Sequence, residues 1–286
     1  MLQTNFMKKE IYPCLWFDGK AKEAMSFYVD VFGNSKITEE NPIVVNVEVC
    51  GQKFMGLNGG PQFKINPSIS FMVQFDTESE TEAAWHKLIE GGSAIMGLDK
   101  YEWSPKYGWV QDKFGVSWQL ITGKKEDFGQ KFSPTLMFTG EQCGRAEESV
   151  KFYTSLFENS KIDGILKYSL NDSDREDLVK HSQFTLNGNV FMAMDSSHLP
   201  QFAFNEGISF VVECDTQDEI DYFWSNFTAD GGQESMCGWL KDKFGVSWQI
   251  VPSILGELMG DPERGQRVMN AFLKMKKFEI EKLLNA

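Results

Sequence analysis

One block of residues that occurs twice limits what this chain can fold into more than any other feature. Asp112-Lys113-Phe114-Gly115-Val116-Ser117-Trp118-Gln119-Leu120 returns as Asp242-Lys243-Phe244-Gly245-Val246-Ser247-Trp248-Gln249-Ile250, altered only at its last residue. Shorter matches keep the same order: Phe27-Tyr28 with Phe152-Tyr153, Asn34-Ser35-Lys36-Ile37 with Asn159-Ser160-Lys161-Ile162, Pro61-Gln62-Phe63 with Pro200-Gln201-Phe202, and Ile69-Ser70-Phe71 with Ile208-Ser209-Phe210. A repeat of this kind is the mark of a duplicated structural unit. The expected copies run from 9 to 123 and from 131 to 252, with a C-terminal extension, 253 to 286, that has no counterpart. Each copy has the length of an ordinary domain.

Within a copy, the apolar spacing switches between strand and helix. Ile11 to Phe17 reads as a buried strand, and Ala21, Ala24, Met25, Tyr28 and Phe32 then recur at helical spacing up to Gly33, a natural helix stop. Three short strands follow: Lys36 to Glu40, Val44 to Val49 and Lys53 to Leu57, the last two joined by a Cys50-Gly51-Gln52 turn. A second unit begins with a strand at Ile69 to Phe75, and Thr77 with Glu80 then forms a capping box, repeated by Thr216 and Glu219. The helix behind each box carries Thr81, Ala84, Trp85 and Leu88, or Ile220, Phe223, Trp224 and Phe227. Gly108 to Gln111 and Val116 to Leu120 close the copy as strands, and each copy is read as two units of this strand-helix-strand kind. In the extension, Asp261 and Pro262 predict a helix start, with Val268, Met269, Phe272 and Met275 on one face.

Charge removes several functions. The net charge of −13 argues against nucleic acid and against an anionic membrane surface, because both need clustered cations. No apolar run is long enough to span a bilayer, and Met1 to Glu10 lacks the order of a signal peptide, so a cytoplasmic protein is expected. The five cysteines are odd in number and scattered, without a Cys-x-x-Cys pair, and read as reduced thiols.

Leu15-Trp16-Phe17-Asp18-Gly19, Phe27-Tyr28, Phe32-Gly33-Asn34-Ser35, the Asn205 to Phe210 stretch, the block from Cys237 to Gln249 and the Lys274-Met275-Lys276-Lys277 tail resemble the PhnB-like proteins. Members of this family often carry the name 3-demethylubiquinone-9 3-methyltransferase. They belong to the vicinal-oxygen-chelate superfamily of glyoxalases, bleomycin-resistance proteins and dioxygenases. The resemblance implies an α+β fold of tandem glyoxalase-like domains, each of two βαβββ units whose curved mixed sheet forms a cup, plus a C-terminal helix. It also implies that the repeats pair inside one chain as a pseudo-dimer, with pairing between chains left open. Metal-using relatives place a His or Glu on several cup strands. The matching positions here are Pro13 and Pro134, Ser70 and Ser209, and Gln119 and Gln249, with a fourth near Gly56 to Asn58 and Ala193 to Asp195. Proline offers no donor, serine and glutamine carry no charge, and only Asp195 brings a carboxylate, so no metal and no cofactor are expected.

The candidate ligand-binding residues are therefore Gln119, Gln249, Ser70, Ser209, Ser117 and Ser247 on the cup face, with Phe17, Phe54, Phe138 and Phe191 as apolar lining and Cys237 at the mouth of the second cup. Gln119 and Gln249 hydrogen-bond either a ligand or buried protein groups. Trp109, Trp118, Trp239 and Trp248 are expected to fill the core, away from that face. Cys237 stands at the mouth of the second cup with no histidine near it in sequence, and reads as structural. Asp195 with His198 is the weak candidate for a metal clip. Methyl transfer of the doubly wound kind needs a glycine-rich turn between a strand and a helix, and the Gly-Gly pairs here close helices or sit in a hairpin. The favoured function is metal-independent binding of a small apolar or aromatic molecule. A metal-dependent lyase or dioxygenase is the alternative, methyl transfer is disfavoured, and whether the chain is catalytic stays open.

Overall fold

In a computed structural model, residues 11–198 and 202–286 are described; Met1 to Glu10 and the Pro200-Gln201 part of one repeat match lie outside them. The first copy holds β1 (Ile11–Phe17), α1 (Ala21–Phe32), β2 (Ser35–Glu40), β3 (Val44–Val49) and β4 (Gln52–Asn58), then β5 (Ile69–Phe75), α2 (Glu78–Ile89), β6 (Ser93–Tyr101), β7 (Ser104–Gln111) and β8 (Ser117–Thr122). After a single helical turn, α3 (Lys125–Phe128), the second copy repeats the plan: β9 (Phe132–Phe138), α4 (Ala146–Leu156), β10 (Lys161–Lys167), β11 (Val179–Leu186) and β12 (Asn189–Asp195), then β13 (Ile208–Cys214), α5 (Gln217–Thr228), β14 (Gln233–Glu234), β15 (Trp239–Lys241) and β16 (Ser247–Pro252).

The chain forms two compact units, Cys14–Ile208 and 11–13 with Ser209–Ala286. In the larger unit an eight-stranded mixed sheet has the order β10-β11-β12-β9-β5-β8-β7-β6. Four of its strands come from the second half of the first copy and four from the first half of the second. The seam is the antiparallel pair β5–β9, where Ser70 faces Thr135 and Met72 faces Ser133. The repeats thus pair within one chain, and this curved sheet is assembled across copies rather than inside one. The same unit holds β1-β4-β3-β2, and the smaller unit runs β14-β15-β16-β13 into the start of β1.

The repeated block explains itself in this frame. Asp112 closes the β7–β8 turn, its Oδ1 accepting from the backbone N–H of Phe114 (2.8 Å) and Val116 (3.0 Å). Its Oδ2 accepts from Trp118 Nε1 (2.8 Å) and from the Tyr28 hydroxyl on α1 (2.9 Å). Asp242 does the same for Phe244, Val246 and Trp248. Gly115 completes the turn at φ +89°, a conformation that glycine adopts without strain. The carboxylate, the glycine and the tryptophan are held at fixed spacing because one buried acid satisfies four donors.

Trp118 also nucleates the apolar layer. Its ring lies 5.0 Å from Tyr28 and from Phe32, and 5.3 Å from Phe71, while Phe54 packs on Phe71 and Phe132. One face of β5, β8 and β9 is therefore covered by α1 and its neighbours. Both capping boxes form as expected, at Thr77 with Glu80 and Thr216 with Glu219. Gly33 ends α1 at φ +59°.

Two elements depart from the expectation. The strand β6 was not read, because Ser93 to Tyr101 pairs irregularly with β7, with register shifts that erase the period-two pattern. In the extension, Asp261 does not start a helix directly: its Oδ1 accepts from Glu263 and Arg264 in a turn, and α7 (Gly265–Phe272) begins after it. The extension is divided into three short helices, α6 (Leu255–Gly260), α7 and α8 (Ile280–Leu284). Among the described residues no helix is long and apolar enough to cross a membrane.

Candidate functional site

Strand pairing fixes which side chains face into the curve of the larger unit's sheet. Gln119 is bonded to Ser70, and its neighbours across the ladders are Trp109 and Met72. Through β9 the same face continues with Ser133, Thr135 and Met137, and through β12 with Met192 and Met194. These apolar side chains meet: Met72, Tyr107, Trp109, Ile121, Met137 and Met192 form one buried cluster, against which Met96, Tyr101, Phe128 and Met194 pack. The interior of the curve is thus lined by flexible thioethers and by aromatic rings that carry a polar atom, surfaces suited to adaptable apolar contact. Toward β10 and β11 a depression of about 380 Å³ is lined by Ile165, Leu166, His181 and Gln183.

A short polar chain runs through this lining. The Tyr107 hydroxyl donates to Gln119 Oε1 (2.7 Å), and Gln119 Nε2 donates to Ser70 Oγ (2.8 Å). Trp109 Nε1 donates to Ser117 Oγ (2.6 Å). Of the two roles open to Gln119, the first copy shows the internal one: both ends of the amide are used by protein. Burial pushes the Tyr107 hydroxyl well above its ordinary pKa, so it stays protonated and serves as a donor.

The second copy repeats the frame but not the satisfaction. Gln249 Nε2 donates to Ser209 Oγ (2.9 Å), and Trp239 stands opposite Gln249 as Trp109 stands opposite Gln119. Ser247, the counterpart of Ser117, is buried with no hydrogen-bond partner for its Oγ. Cys237 occupies the place of Tyr107, at φ +58°, with its N–H donated to Met275 O (2.7 Å). Burial pushes the Cys237 thiol up, away from a nucleophilic thiolate.

Several expected positions fall on the other face. Leu15 pairs with Gly56, and a Cβ at Gly56 would meet Met25 and Ala21 of α1, so Leu15 and, by alternation, Pro13 and Phe17 face the helices. Phe17 packs on Phe114 and Phe54 on Phe71. Pro134 pairs with Phe71 on the helix side, and Phe138, four residues on, packs on Phe204. Phe191 packs on Phe184 next to Tyr153 of α4. Trp109 is displaced the opposite way, lying on the Gln119 face instead of in the helix-side core. The methionines and Tyr107 that do line the curve were missed, since period-two alternation identifies them only once the register across β5, β8, β9 and β12 is known.

Asp195 has a structural task. It accepts from the N–H groups of Gly144 (2.7 Å) and Ala146 (3.3 Å) at the start of α4 and from Val179 (3.0 Å), just as Asn58 accepts from Ala21 at the start of α1. Burial pushes its carboxyl up while these bonds pull it down. His198 pairs with Asp174 at 3.7 Å, and that carboxylate also accepts from Ser197 and from the Arg175 N–H rather than standing beside Asp195 as a clip. A metal of the glyoxalase kind does not fit the side chains in the curve: Ser70, Gln119, Thr135 and Met194 offer neutral oxygen and thioether donors. Among the described residues no three of His, Cys, Asp and Glu are grouped to hold an ion.

A family model described as 3-demethylubiquinone-9 3-methyltransferase matches residues 9–121 and 130–251. The chain belongs to this family. The PhnB protein from Bacillus cereus is 36% identical over 38% of this chain and 96% of its own, with a TM-score of 0.36. Protein PA1353 from Pseudomonas aeruginosa is 25% identical over 39% of this chain and 95% of its own, with a TM-score of 0.34. Glyoxalase I from Zea mays, 12% identical, covers 85% of this family member and 93% of its own chain at a TM-score of 0.59, a likeness of fold. Comparison with curated proteins finds no match.

Proposed function

We propose that this member of the family binds a small, mostly apolar or aromatic molecule without a metal, against the sheet faces that carry Ser70, Ser117 and Gln119 and, in the second copy, Ser209, Ser247 and Gln249. The observation that carries the reading is the donor set: methionines, tyrosine, tryptophan, serine and an amide, with the one nearby candidate acid, Asp195, already spent on backbone N–H groups. Such a surface recognises its guest by shape and a few hydrogen bonds. The copies 9–123 and 131–252 remain the proposed division by descent, with 253–286 as an appendage. A cytoplasmic setting accords with five scattered cysteines, odd in number and without a Cys-x-x-Cys pair.

Elemental analysis of protein purified without chelator tests the reading. Sub-stoichiometric metal is expected, and one equivalent of nickel, zinc, iron or manganese would overturn it. Methyl transfer, which the family's description names, predicts binding of S-adenosylmethionine in calorimetry; the present reading predicts none.

A further inference from the structure

In the first copy two aromatic side chains supply the donors that the sheet face asks for: Tyr107 O–H to Gln119 and Trp109 N–H to Ser117. In the second copy the tyrosine is replaced by Cys237, whose backbone is bent to φ +58° and tied to Met275, and β15 begins only at Trp239. That replacement leaves Gln249 Oε1 with no donor among the described residues, and although Trp239 keeps the register place of Trp109, Ser247 Oγ, in a residue only 1% exposed, has no partner. By alternation Ser247 lies on the same strand face as Gln249, and Gln249 is bonded to Ser209 of the neighbouring strand. A buried hydroxyl left without a partner costs stability, and such costs concentrate where a ligand is to be met.

We propose, on the reading that these faces bind a small apolar molecule, that the face of β13 and β16 takes an aromatic ring bearing O–H or N–H donors. The ring's donors serve the two acceptors whose counterparts Tyr107 and Trp109 serve in the first copy, one on Gln249 Oε1 and one on Ser247 Oγ. The first copy carries its own answer to the same demand; the second leaves it to the ligand.

The test uses the full chain and three probes of similar shape: toluene, phenol and resorcinol, titrated by NMR. Resorcinol binds about tenfold or more tighter than toluene, the factor expected of roughly one net hydrogen bond. Ser247→Ala and Gln249→Met each reduce that preference. Without ligand, Ser247→Ala raises the urea midpoint, because it removes an orphan, whereas Ser117→Ala lowers it, because it strips Trp109 of its acceptor. Equal binding of resorcinol and toluene refutes the inference while leaving apolar binding intact, and a Ser247→Ala variant that is less stable than the parent refutes it too. If none of the three probes binds, the proposed function itself fails.

Discussion

Removing the carboxylate of Asp112 is the sharpest test of why the repeated block exists. Asp112→Ala leaves four donors without their acceptor: the N–H groups of Phe114 and Val116, Trp118 Nε1 and the Tyr28 hydroxyl. Phe114 is half-buried and its N–H can turn to water, but Val116, Trp118 and Tyr28 are buried. Three orphaned donors at about 1 to 3 kcal/mol each give roughly 3 to 9 kcal/mol. Burial has already pushed the Asp112 carboxyl above its ordinary pKa, so removing it also relieves a desolvated charge and offsets part of that sum. A net loss of about 4 kcal/mol is expected, a large share of the roughly 5 to 15 kcal/mol that holds a domain together. Asp112→Asn keeps one oxygen for the turn and turns an amide N–H toward Trp118 and Tyr28, so it recovers about half. Urea unfolding followed by tryptophan fluorescence reads both variants. A loss below about 1 kcal/mol for the alanine variant would show that the block is not a structural device.

Three smaller tests follow. Burial holds His181 below its ordinary pKa of 6.5, so the unfolded chain takes up the proton first and stability falls as the pH drops below 6.5; His181→Gln flattens this acid limb in urea titrations at pH 5 and 7.5, and an unchanged limb contradicts the burial. Tyr107→Phe removes the donor to Gln119 and costs about 1 kcal/mol in the same assay. Because burial raises the thiol of Cys237, iodoacetamide labels it at least about tenfold more slowly than glutathione at pH 8, and fast labelling would reopen a nucleophilic role.

What the sequence made legible follows from what is local. The duplicated block, both capping boxes, the helix stop at Gly33 and most strands depend on residues a few places apart. The face of each strand depends on register, which is set by distant partners: a one-residue error puts Pro134 in the curve and Thr135 outside, and sends Phe17, Phe54, Phe138 and Phe191 with it. Gln119 and Ser70 were readable as neighbours because the resemblance supplied their register, whereas Tyr107 and the methionines had no such guide. Asp195 looked like a ligand because a lone acid at a strand end does; its helix-capping task appears only when Gly144, Ala146 and Val179 are brought to it.

The decisive measurement is a methyl NMR titration of protein carrying carbon-13 on its methionine methyls, with toluene as the probe and a chelator present throughout. The signals of Met72, Met137, Met192 and Met194 shift in a saturable way, and removing the chelator changes nothing. Methyls that stay still until a divalent metal is added would contradict the claim that this surface holds its guest without a metal.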